Sequence, residues 1–156
     1  MKSKIISTIL AAAMMMTAVT FPATIQMDAV ADSLIVRKFD LGGLGTADGY
    51  IGVSASDAYD KSKGYGFSNT DAVEDVSASG EGALADAVRF KSDVPNHIFN
   101  VDLPKGVYKI TVTTGDVKST TITAERVPQL FFLTGSNATD TFTIPVTDGQ
   151  LNIYAG

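Results

Sequence analysis

The sequence predicts an all-β domain, a sandwich or a barrel, and three observations carry that expectation. Helical periodicity is hard to find after residue 32. Short runs rich in Val, Ile, Thr, Tyr and Phe recur instead, separated by Gly, Asp, Asn and Pro; they come about every ten residues, the spacing of sandwich strands. The 156 residues contain no cysteine. Packing and backbone pairing must therefore hold the domain, which suits a sandwich better than a small disulfide-stapled scaffold.

The first element is not part of that fold. Residues 1–31 have the layout of a signal peptide: a basic Met1-Lys2-Ser3-Lys4 start, an uncharged apolar run over 5–19, and Ala29-Val30-Ala31 ahead of Asp32 as the cleavage pattern. An apolar run of about 15 residues falls short of the roughly 20 that span a bilayer. Cleavage after Ala31 makes the protein secreted and leaves a single module over 32–156. Lys2, Lys4 and Asp28 go with the signal, leaving ten basic and sixteen acidic residues, a net charge of −6 against −5 for the whole chain. An acidic chain with scattered cations offers no track for phosphates, so neither nucleic acid nor an anionic membrane surface is an expected partner. What remains is long enough to bury one core.

Strands are expected over 34–41 and, after the glycine-rich Gly42-Gly43-Leu44-Gly45, over 50–54. Tyr65 and Phe67 lie two apart in KGYGFSNT, so an extended backbone points both rings to one face. Phe67 is expected inside and Tyr65 nearer the rim; Gly66 between them allows a bulge or a close backbone approach. Residues 68–86 are poor in large apolar side chains and read as a long surface loop. Further strands follow over 87–91, 97–103, 107–114, 119–125, 129–133, 139–146 and 151–154. In VDLPKGVYKITVTTGD, Pro104 and Gly106 make a turn that reads as a hairpin, with Tyr108, Ile110 and Val112 facing the core. Asp148-Gly149 reads as a second hairpin turn. The run over 151–154 then reads as the penultimate strand, ending the chain on an exposed sheet edge and suggesting a fragment of something longer.

Catalytic chemistry is sparse. His97 is the only histidine, expected as an exposed strand-end residue, and no Gly-x-Ser-x-Gly turn exists to supply a nucleophile. One His and no Cys exclude the usual zinc sites. Structural calcium stays open, because carboxylates and carbonyls suffice, but Asp40, Asp57, Asp60, Asp71, Glu74 and Asp75 lack an EF-hand spacing and read as solvated charge. No cofactor is expected.

RKFDLG, GYIGVSASDAY, KGYGF, VDLPKGVYKITVTTGD, TITAE and FTIPVTDGQLNIYAG, in that order from Val36 to Gly156, resemble the amino-terminal galactose-binding-like β-sandwich of bacterial rhamnogalacturonan acetylesterase-like (GDSL/SGNH) esterases and of some β-agarases. The resemblance implies a jelly-roll module, lacking its last strand, that accompanies enzymes acting on pectin or other plant and algal polysaccharides. Catalysis in such proteins resides in a following domain, whose Gly-Asp-Ser motif has no counterpart here. The expected partner is thus a polysaccharide or a downstream catalytic domain.

A sugar site needs rings for the apolar face of a pyranose and planar polar groups for its hydroxyls. Tyr50, Tyr59, Tyr65 and Phe67 are the candidate rings, and Asn69, Arg89 and Asn96 the candidate polar partners. For each ring the competing role is core packing.

Overall fold

A computed structural model describes residues 35–156; the signal expected over 1–31 and its cleavage point lie outside the described residues. The chain forms an all-β sandwich of eleven described strands: β1 Phe39–Leu41, β2 Ile51–Val53, β3 Tyr65–Phe67, β4 Val73–Ser77, β5 Asp86–Phe90, β6 Phe99–Asp102, β7 Gly106–Thr113, β8 Val117–Ala124, β9 Val127–Gly135, β10 Thr139–Val146 and β11 Gln150–Ala155. One layer is a five-stranded sheet in the order β3-β6-β11-β8-β9. Packed against its inner face are the antiparallel pairs β7–β10 and β4–β5 and the short parallel pair β1–β2.

Alternation builds the core. In β10, Phe142, Ile144 and Val146 are buried while Thr141, Thr143 and Pro145 face solvent. Opposite them in β7, Tyr108, Ile110 and Val112 turn inward as the sequence predicts. The outer faces of the two strands are joined by hydroxyl contacts, Thr111 to Thr141 at 2.9 Å and Thr113 to Thr139 at 2.8 Å, cross-strand pairs of the kind that stabilise a sheet. Phe67, fully buried, lies among Phe90 and Phe99, with ring centroids 5.9 and 5.2 Å away.

Five expectations need correction. The Pro104–Gly106 turn does not close a hairpin: β6 pairs with β3 and β11, whereas β7 pairs with β10. The chain crosses from one layer to the other there, and again at Asp148-Gly149 between β10 and β11. Alternation looks the same whether the next strand lies beside its predecessor or across the core. Residues 68–86 are not one long loop, because they contain β4, with Ala72 and Val73 buried. A strand buried on one side needs few apolar residues. The run over 151–154 is not at an edge: β11 is the central strand of its sheet, paired to β6 and β8. Finally, His97 is half-buried, with its Nδ1 2.8 Å from the carbonyl of Val94.

Of the hairpins that do form, β4–β5 and β8–β9, the second turns at Glu125 and Arg126, both with positive φ (51° and 64°). Such a turn ordinarily calls for Asn-Gly. Here reciprocal bonds hold it: the Glu125 N–H donates to the carbonyl of Asn152 at 3.0 Å, and the Asn152 N–H donates to Glu125 Oε1 at 2.8 Å.

Candidate functional site

Strand alternation sends every second residue of the five-stranded sheet away from the core. With Phe99, Val101, Ile122, Ala124 and Leu151 inward, the opposite face carries Asn100 and Asp102 of β6, Gln150, Asn152 and Tyr154 of β11, and Thr121 and Thr123 of β8. Register sets them side by side: Gln150 opposite Asp102, Asn152 opposite Asn100 and Tyr154 opposite Thr123. Asn100 and Thr123 are buried, and the other members of this array are partly exposed.

The array is organised by hydrogen bonds. Tyr59 reaches in from the preceding loop and donates to Asp102, 2.9 Å from Oδ2 and 3.0 Å from Oδ1. Gln150 Nε2 donates to Asp102 Oδ1 at 2.8 Å. The hydrogen bond to Asp102 leads the causes that raise the Tyr59 phenol above its ordinary value, so it stays a donor. Asn100, buried, donates to Ser68 Oγ at 2.7 Å and to the carbonyl of Gly66 at 3.3 Å. His97 closes one end, its ring 5.5 Å from that of Tyr154. Amides and a carboxylate held in fixed planes between aromatic rings can pair with vicinal hydroxyls of a sugar. Among the described residues no hydroxyl or carboxylate hydrogen-bonds to His97.

The sequence-predicted site residues are dispersed. Tyr59 belongs to the array. Tyr65 is half-buried, packing on Phe39 with ring centroids 5.3 Å apart. Tyr50 lies 39 % exposed beneath the Lys38 ammonium, 5.5 Å from the ring centroid. Asn69 caps the short 3₁₀ turn over Thr70–Ala72 and bonds the carbonyl of Pro95. Arg89 is ion-paired with Glu74 at 2.7 Å. Asn96 sits in a positive-φ turn, and Phe67 is core. Sequence reasoning missed Asp102, Gln150 and Asn152; their places in alternating strands were the available signal, but it needed the sheet order to be read.

A second recess lies beside Gly42–Gly45, as two clefts of about 200 and 240 Å³ that meet at Gly43. Asp57, Asp75 and Asp86 line these clefts, and with Asp40, whose buried Oδ1 has no partner, they accept from backbone N–H groups. Asp86 Oδ2 accepts from the Leu44 N–H, Asp40 Oδ2 from Ala47, Asp57 Oδ2 from Ser54 and Asp75 Oδ1 from Ala55. Thus Asp40, Asp57 and Asp75, expected as solvated charge, are backbone acceptors, and Asp40 is buried. Among the described residues no group of three or more His, Asp or Glu side chains could hold a metal ion.

These bonds give the fold a pH dependence. Burial pushes the Asp57 carboxyl up, but the Ser54 N–H and hydroxyl and the Lys63 ammonium together bring it below its usual value. Ser62 lowers Asp60, and Ser136 and Ser79 lower Asp116. A carboxyl depressed in the folded state contributes stability that is fully present above its unfolded pKa, near 4, and lost as pH falls through the lower folded value. The melting temperature is therefore expected to drop as pH is lowered below about 4. Scanning fluorimetry checks this, and a Tm that rises on acidification contradicts it.

The family model described as "Beta-agarase/YXIM esterase-like, galactose-binding domain-like" matches residues 37–156. The uncharacterized esterase YxiM of Bacillus subtilis (strain 168) is 51 % identical over 120 residues, which cover 76 % of this chain and 31 % of the relative. An X-ray crystal structure of the B. subtilis YxiM protein superposes with a TM-score of 0.75 at 49 % identity, covering 77 % of this chain and 34 % of that one. The chain thus spans about a third of the length of the relative it matches.

Proposed function

The chain belongs to the β-agarase/YXIM esterase-like, galactose-binding domain-like family, and on that premise we propose that it is a non-catalytic, polysaccharide-binding accessory module of a secreted esterase. The proposed ligand is a plant cell-wall polysaccharide of the pectin and rhamnogalacturonan class. The observation that carries this reading is the outer face of the five-stranded sheet, where Tyr59 and Gln150 both donate to Asp102 and Asn152 Nδ2 donates to the backbone carbonyl of Gln150. Hydroxyl-rich ligands are recognised by just such planar donors and acceptors, and prior ordering lowers the entropy lost on binding.

Affinity electrophoresis tests the reading. The chain is expected to be retarded in gels containing rhamnogalacturonan or pectic galactan, and Gln150→Ala with Asn152→Ala is expected to weaken retention by about tenfold, the equivalent of roughly 1.4 kcal/mol. Unaltered mobility of the wild-type chain in every such gel would contradict it. The second reading, a structural module that only packs against a catalytic domain, predicts that outcome.

A further inference from the structure

Strand β9 carries two adjacent exposed aromatics, Phe131 at 60 % and Phe132 at 75 % exposure. Neighbouring residues of a regular strand point to opposite faces, so one of this pair belongs in the core. It is kept out by an irregularity. Ile122 pairs with Leu130 and Thr120 with Leu133, so two residues of β9, Phe131 and Phe132, stand opposite the single Thr121 of β8. Phe132 takes φ +56°, a conformation that costs a bulky side chain energy. Leu130 stays in the core and Leu133 packs against it, while both phenyl rings are delivered to solvent with centroids 6.4 Å apart and planes inclined at 44°. Bulges of this kind re-aim side chains beside functional sites.

The surroundings identify the occupant. Phe131 alternates with buried Leu130, so it lies on the same outer face as Thr121, Asn152 and Tyr154 and extends the polar array to its β9 margin. The hairpin bearing the rings carries two cations in an acidic chain: residues 117–135 contain Lys118, Glu125 and Arg126 as their only charges, with Asp116 directly before them. Glu125 Oε1 is engaged by the Asn152 N–H, and among the described residues neither Lys118 nor Arg126 is ion-paired.

We propose that the Phe131–Phe132 bulge is a stacking platform for an acidic polysaccharide, with the apolar faces of successive pyranose rings against the two phenyls and uronate carboxylates toward Lys118 and Arg126. The proposal rests on the reading of the outer face as a glycan site, and it names both a wall of that site and a preference for uronate over neutral chains.

Phe132→Gly separates function from folding, because glycine accepts the positive φ that strains phenylalanine. With the full chain, Phe132→Gly and Phe131→Ala are each expected to weaken retention in polygalacturonate gels by about tenfold, while the melting temperature of Phe132→Gly stays level or rises. Retention in polygalacturonate should also fall with added salt and with Arg126→Ala, unlike retention in neutral galactan. If the ring variants bind polygalacturonate like wild type while Gln150→Ala with Asn152→Ala does not, the platform is refuted and the outer-face reading stands. If wild type binds no glycan, both fall.

Discussion

Gly66→Ala is expected to destabilise the fold by more than about 4 kcal/mol, enough to unfold a domain at the low end of ordinary stability. A Cβ on Gly66 would stand 2.6 Å from the carbonyl carbon and oxygen of Ala58 and from Cα of Tyr59, all backbone atoms, at φ +140°. Backbone cannot step aside as a flexible side chain does, and the segment is pinned by the Tyr59 N–H to the Phe67 carbonyl and the Phe67 N–H to the Asp57 carbonyl, each at 2.9 Å. A methyl here breaks those bonds or distorts β3 against β6. The cost belongs with the exceptional substitutions, above about 4 kcal/mol, against a total stability of about 5–15 kcal/mol for a domain of this kind. Loss of the cooperative urea transition and of dispersed amide signals would register it. A variant that melts within a few degrees of wild type would show that the close approach at Gly66 is relaxed.

Phe67→Ala is expected to be the most damaging large-to-small change in the core, by about 3–5 kcal/mol. The ring is fully buried and touches the aromatic groups of both layers, Phe99 in the same sheet and Phe90 across the core. Its removal leaves a cavity that stiff β-backbone closes poorly. The equilibrium urea midpoint reports the loss, and Phe67→Leu, which refills most of the volume, should recover much of it. Tyr65→Ala is the contrast within the same strand. Its ring is only half-buried and contacts Phe39 at the margin, so the loss should be smaller. Equal losses at both positions would mean that Tyr65 is as much a core residue as Phe67.

KGYGF shows how far sequence alone reaches. Two aromatics separated by glycine placed both rings on one face, with Phe67 inside and Tyr65 nearer the rim, and the structure bears this out. Strand positions after residue 86 were similarly legible, because alternation is written in each strand. Pairing was not. Pro104-Lys105-Gly106 and Asp148-Gly149 mark a change of direction, and local chemistry cannot tell a hairpin from a passage across the core. The one long hairpin turns at Glu125-Arg126, whose positive φ values are held by Asn152 of a strand far along the chain. The candidate site suffered for the same reason. Tyr59 could be chosen for its ring, but Asp102, Gln150 and Asn152 become a site only when β11 is set between β6 and β8.

The acidic residues carry a related lesson. A short Asp near a glycine-rich turn looks like solvated charge, yet Asp40, Asp57, Asp75 and Asp86 each accept a main-chain N–H of the segment over 44–55. Asp86 and Asp40 hold the loop between β1 and β2, Asp57 and Asp75 hold the chain just after β2, and Gly42 and Gly43 are needed because a Cβ at either would press on Asp86 or Asp75. Electrostatic signals near turns therefore speak to loop shape before they speak to ligands.

The central claim, that the outer face of the five-stranded sheet receives a cell-wall glycan, is tested most directly by titrating the isotope-labelled chain with rhamnogalacturonan oligosaccharides and following its amide signals by NMR. Saturable shifts should concentrate on Asn100, Asp102, Gln150, Asn152 and the side-chain amides of the last two, with Thr121 and Tyr154 beside them. Shifts confined to the loop over 42–57, or no shifts at saturating oligosaccharide, would contradict the account.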